Sequence, residues 1–166
     1  HDRDVAGALK RFNLDEARQA WPSIIKGFGL NVVMFLIAEP LILIVGALVA
    51  IVRGTKSAAL FPLRLVAVGY TDLFRGIPTI LLVFLLALGV PALNLTGLPI
   101  SLFFWATVAL VLSYGAYVAE VFRAGIESVH PSQRAAARSL GLTHTQSLRF
   151  VIVPQAVRRV LPPLLN

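Results

Sequence analysis

Long apolar runs separated by short polar breaks dominate the first three quarters of the chain. Residues 24–52, 65–90 and 101–121 are each almost continuously apolar, and a helix needs about 20 such residues to cross the hydrocarbon of a bilayer. The pattern therefore predicts three membrane spans. Residues 1–23 are polar and mixed in charge, with a helical look over residues 5–20 and a weak apolar stripe at Leu9, Phe12 and Ala20. An interfacial helix and a flexible tail both fit that segment. After the third run the pattern changes to a polar, basic stretch over residues 122–154, and residues 155–166 begin a further ascent. The expected fold is all-α: a polytopic membrane helical bundle, with an N-terminal segment over 1–23 and a membrane domain over 24–166.

The polar stretch carries its own helix signals. Ser132 is placed to cap a first short helix that runs through Ala135, Ala136 and Ala137, and Gly141 suits the left-handed residue that ends it. Thr143, with Gln146 three residues later, fits a capping box for a second helix, which Pro154 is expected to close. Arg134 and Arg138, four apart, share a face of the first helix. Three small alanines keep its profile thin, so a partner could approach its backbone. A docking element and a solvated amphipathic hairpin at a lipid surface are both compatible with these features.

Composition supports a membrane protein. Of 166 residues, 57% are hydrophobic and only 14% charged, against about 25% charged in an ordinary soluble domain. The net charge of +7 does not point to nucleic acid, because the basic residues lie beside apolar spans and not in a soluble patch with exposed aromatics. They point instead to orientation in the bilayer. No Lys or Arg lies between Arg75 and Arg123, whereas six arginines against the single acid Glu127 follow from Arg123 onward. The positive-inside rule then puts the 122–154 loop in the cytoplasm and the N-terminus outside, with Arg53, Lys56 and Arg64 marking another cytoplasmic turn.

Polar residues within the spans are costly in hydrocarbon and mark pathways or interhelical packing. The candidates for a translocation path are Asn31, Glu39, Ser113, Tyr114, Tyr117 and Glu120. Glu39, followed by Pro40 near the middle of the first run, is expected to face protein or a water-filled cavity, as a pathway residue or in a packing role. Asp72 and Arg75 are spaced to pair at the interface, and Pro78 is expected to kink the second span. Gly54-Thr55-Lys56-Ser57 falls short of a phosphate loop, since the glycine directly before the lysine is missing. The absence of cysteine excludes disulfides and thiolate metal sites, and the three histidines are scattered. No catalytic arrangement, metal site or nucleotide site is expected in this chain.

The order Tyr117, Glu120, Phe122-Arg123, Gly125-Ile126, Ser128, then Gln133, Ala136-Ala137-Arg138, Leu140-Gly141-Leu142, then Val153-Pro154-Gln155-Ala156, Arg158-Arg159 and Leu161-Pro162-Pro163 resembles the EAA loop and flanks of ABC importer permeases. More narrowly it is similar to the polar amino acid permeases of the histidine/glutamine/arginine type, and the run Tyr70 to Pro78 resembles the entry to their second helix. The resemblance implies the transmembrane subunit of an ATP-driven importer. A second permease subunit would complete the pore, separate ATPase subunits would bind the ATP, and an extracytoplasmic solute-binding protein would deliver the substrate. Membrane lipid is the remaining partner. It also implies that coupling to the ATPases runs through Gln133, Arg134, Ala135, Ala136, Ala137, Arg138, Gly141 and Leu142, and that the rest of one helix and a further one follow Asn166. The family's motif has glutamate where this chain has Ala135, so any ion pair made by that glutamate is lost. Three other functions stay open on the residues alone: a permease for another small polar solute, a proton-coupled secondary transporter using Glu39, and a non-transporting anchor whose basic loop binds anionic lipid.

Overall fold

A computed structural model of the chain describes residues 14–55 and 57–165. Among these residues there are helices and turns and no strand. The first helix, α1, is Leu14–Gly54. After a single 3-10 turn come α2, Phe61–Gly76, and α3, Thr79–Ala92, which includes a π turn over Leu85–Gly89. Helix α4 is Leu102–Glu127 and α5 is Pro131–Ser139. The last helix, α6, consists of His144–Ser147, a π turn Leu148–Ile152 and Val153–Leu165. Two helices, α1 and α4, are long and apolar enough to cross a membrane on their own, and the bent pair α2–α3 makes a third if it counts as one span.

The chain divides into two units, His1–Ile37 and Ala38–Asn166. In the first, the described part is helical from Leu14, and most of the interfacial helix expected over residues 5–20 lies outside the described residues. Trp21, Ile24, Phe28 and Leu36 stand exposed there. Asn31 spends its amide on its own helix, donating to the carbonyl of Gly27 at 2.9 Å.

In the second unit α4 is the central element, and its contact face is built from small residues. Ala109, Ser113, Ala116 and Ala119 are wholly buried. Ala38 and Ile42 of α1 pack on Val118, and a Cβ at Gly46 would come within 2.6 Å of Val118 Cγ1. Gly115 is equally confined, by Tyr70 Oη at 2.9 Å and Val45 Cγ1 at 3.0 Å from its missing Cβ. Hydrocarbon offers apolar helices no hydrophobic gain on association, so close backbone approach through small residues supplies the packing.

The helices depart from the expected elements at three places. The second span is not one kinked helix: α2 and α3 meet at 99°. Ile77 is extended, with φ −95° and ψ 126°, and Pro78 is the N-cap of α3; a proline drives the residue before it out of the helical region. The helix that carries the third expected span continues past residue 121 to Glu127, with Gly125 buried against α6. Pro154 does not close the second loop helix, which runs on to Leu165. The π turn Leu148–Ile152 lies just before it. It widens the helix where the proline ring would otherwise meet the carbonyl of Phe150.

Candidate functional site

The polar residues of α4 and the loop that follows form one connected structure. At its upper end the hydroxyl of Ser113 is fully buried and shares a 2.7 Å hydrogen bond with Thr79 at the start of α3. Tyr70 of α2 donates to the carbonyl of Leu112 at 2.7 Å. Tyr117 donates to the carbonyl of Arg75 at 3.1 Å, and the Arg75 guanidinium lies 5.8 Å from the Tyr117 ring centre. Tyr114 and Tyr117 are neighbours, with ring centres 6.5 Å apart, and both are exposed.

Below them Glu120 collects guanidinium groups from three helices. Its Oε2 accepts from Arg53 Nη1 of α1 at 2.7 Å and lies 3.8 Å from Arg75 Nη1 of α2. Its Oε1 accepts from Nε of Arg123 at 3.0 Å and from Arg123 Nη2. Arg53 also donates to the hydroxyl of Thr71 at 2.9 Å. Arg123 pairs in addition with Glu127, one turn on. Partly buried charges are favoured when they are paired and hydrogen-bonded, as Glu120, Arg53 and Arg123 are here. Asp72 is exposed and forms none of the ion pairs among the described residues. The expected Asp72–Arg75 pair is therefore corrected: Arg75 turns to Glu120. Glu39 is half-buried and takes no part in this network.

The loop is a short helix locked on its base. His130, not Ser132, is its N-cap. The imidazole Nδ1 accepts from Ser132 N at 3.2 Å, and Pro131 occupies the first helical position, where its missing N–H costs nothing. At the other end Gly141 has φ +77°. Gly141 N donates to the carbonyl of Arg138 at 2.9 Å and Leu142 N to that of Ala137 at 3.2 Å. These are the paired bonds of a Schellman turn, which needs a left-handed residue. The expected capping box follows, with Thr143 N to Gln146 Oε1 at 2.9 Å and Gln146 N to Thr143 Oγ1 at 3.3 Å.

The two faces of α5 differ. Arg134 turns inward and donates to the carbonyl of Ile126 at 2.8 Å, at the end of α4. Ala137 is buried on the same side. Arg159 of α6 donates to the carbonyl of Ser128, and Gln155 reaches Gln133 at 3.4 Å. Val129, Ile152 and Ala156 form a small core beneath, with Ile126 and Leu148 against it. Outward stand Ala135, Ala136, Arg138 and Leu140. Leu140 is 80% exposed, unusual for a large apolar side chain in a polar loop. The sequence places Arg134 with Arg138 on one face, but in the fold only Arg138 is outside. Leu140 and the arginines around Glu120 were not among the expected site residues. Leu140 was signalled by being the one large apolar residue between Ala137 and Gly141; in the Glu120 cluster the helical spacing of Glu120, Arg123 and Glu127 was a local signal, whereas Arg53 and Arg75 had none.

A family model described as binding-protein-dependent transport system inner membrane component matches residues 46–166. The probable amino-acid ABC transporter permease protein YckA of Bacillus subtilis (strain 168) is 34% identical over 156 residues, covering 93% of this chain and 66% of that protein. The probable glutamine ABC transporter permease protein GlnM of the same organism is 39% identical over 123 residues, covering 74% of this chain and 54% of that protein. The chain thus spans about half to two thirds of the length of these relatives. Among solved structures, the crystal structure of an amino acid ABC transporter with histidines superposes with a TM-score of 0.66 at 32% identity, covering 86% of this chain and 67% of that one.

Proposed function

Since the chain belongs to the family of binding-protein-dependent transport system inner membrane components, we propose that it is the transmembrane subunit of an ATP-driven importer for polar amino acids. Relatives named for amino-acid and glutamine transport support that substrate class. In this proposal two permease subunits form the pore, separate ATPase subunits hold the ATP, and an extracytoplasmic binding protein delivers the solute. The loop that carries α5 lies in the cytoplasm and the N-terminus outside, in accord with the distribution of arginines.

The observation that carries the coupling role is the outward face of α5. Leu140 stands exposed at its tip beside Ala135, Ala136 and Arg138, while Arg134 and Ala137 fasten the helix to α4 and α6. A leucine buried by a partner contributes about 1.5–3 kcal/mol, and flanking alanines let that partner approach. Because the inner face is bonded to the end of α4, a push on α5 moves α4 with it. The family's glutamate is replaced by Ala135, so the contact relies on Leu140, Arg138 and backbone groups.

The test is co-purification of the ATPase subunits together with uptake into vesicles. Leu140→Asp should lose the ATPase or its coupling while membrane insertion is unchanged. Gly141→Val, which no neighbour obstructs sterically, carries only the left-handed backbone penalty of about 1–2 kcal/mol and should misdirect α5 with the same result. Normal ATPase binding and uptake in both variants would remove α5 from the coupling path.

A further inference from the structure

An open pocket where α1 ends and α2 begins is not used by the proposed coupling mechanism. Arg53, Arg64 and Arg123 line it, Glu127 faces them, and Phe61 and Leu65 form part of its wall. Its charges do not balance. Arg53, Arg75 and Arg123 all converge on Glu120, and Glu127 serves Arg123 alone. Arg64 has no carboxylate partner among the described residues. One of its N–H groups donates to the carbonyl of Thr55 at 3.0 Å, and its guanidinium sits over the Phe61 ring at 5.4 Å. Among the described residues, the pocket and the adjoining Glu120 cluster together hold four guanidinium groups against two carboxylates.

Arg64 is held in place by those two contacts, yet a guanidinium has five N–H donors and Thr55 takes only one. The remaining planar donors suit a phosphate or carboxylate oxygen pair. The wall beside them separates these ligands. Phe61 and Leu65 are exposed, as is Leu60 before them, so an anion seated here is flanked by apolar surface. A soluble anion makes no use of that surface, whereas an amphiphile covers it. Basic groups at helix ends also attract the anionic lipids of a membrane surface.

We propose that this pocket binds the headgroup phosphate of an anionic phospholipid, with Arg64 donating to the phosphate and Phe61 and Leu65 against the first acyl carbons. The lipid would neutralise the excess charge around Glu120 and link α1 to α2 at their junction.

The experiment uses the assembled full-length permease complex in bilayer discs containing phosphatidylcholine and phosphatidylglycerol, followed by native mass spectrometry of retained lipid. Phosphatidylglycerol should be retained selectively, excess inorganic phosphate should not displace it, and Arg64→Gln should lower its occupancy about ten-fold. Leu65→Glu, which puts a carboxylate on the exposed rim without touching the Thr55 bond, should give the same loss and serves if Arg64→Gln fails to assemble. Equal retention of both lipids, or unchanged phosphatidylglycerol in the variant that assembles, overturns the proposal. Displacement by inorganic phosphate also overturns it, in favour of a site for a free anion.

Discussion

Replacing Glu120 by glutamine removes the carboxylate that, among the described residues, α1, α2 and α4 share. Of its guanidinium partners, Arg123 keeps Glu127 at 2.5 Å. Arg53 keeps only the neutral hydroxyl of Thr71 at 2.9 Å. The loss therefore concentrates on Arg53, whose side chain is 14% exposed against 22% for Glu120. Breaking a fully buried pair costs about 3–5 kcal/mol. Partial access to water lets Arg53 regain some hydration, which reduces the expected loss to about 2–3 kcal/mol. In a domain of this size that is a fall in melting temperature of roughly 5–10 °C. Arg53→Met alone should cost less, because Glu120 retains Arg123 and Arg75. The double variant should recover most of the Glu120→Gln loss, since the stranded charge is gone. Thermal unfolding of the purified complex, in wild type, both single variants and the double, measures the coupling energy. Additive single effects, with a coupling below about 0.5 kcal/mol, would show that Glu120 does not hold these helices together.

Gly125→Ala should destabilise, although alanine favours a helix, because the new Cβ collides with Val160 Cγ1 and lies 3.4 Å from the carbonyl of Ala156. The expected cost is about 1–3 kcal/mol, and Val160→Ala should restore at least half of it in thermal unfolding; a stabilised single variant would contradict the tight seat. Thr143→Ala should cost about 0.5–2 kcal/mol locally, visible as faster amide exchange at Gln146 and Ser147 with the membrane helices unaffected. Since the chain has no cysteine, single cysteines at the exposed positions Thr145 and Thr96 report sidedness directly. An impermeant thiol reagent added outside cells should label Thr96→Cys and spare Thr145→Cys, and equal labelling would refute the proposed topology.

The parts of this structure that could be read from sequence are those whose cause is local. A glycine after a run of small helical residues takes the left-handed angle because nothing else does so without strain, and Gly141 does. Thr143 and Gln146 cap one another across three residues. Pro78 interrupts its helix, though the sequence gives no means of telling a kink from a 99° turn. Where two local rules competed, the stronger one was missed: Pro131 prefers the first helical position, which moves the cap from Ser132 to His130. Longer-range choices left no trace. Arg53 and Glu120 are 67 positions apart, and the nearby Asp72 looked the better partner for Arg75. The fate of Pro154 depended on a wider helical turn that composition does not announce.

That wider turn also constrains how the segment can change. Leu148, Ile152, Ala156 and Val160 recur every four positions and all face inward. In a regular α-helix a four-residue stripe advances by roughly 40° at each step, so it would wind away from a straight groove. The π turn Leu148–Ile152 takes up part of that phase error. Deleting one residue inside it would rotate everything downstream by roughly 100° and swing Ala156 and Val160 away from Gly125. The number of residues between Gly141 and Val160 therefore acts as an index that keeps the end of the loop in step with α4. A substitution along this stretch perturbs the packing at one place, whereas a single insertion or deletion puts the two ends out of phase.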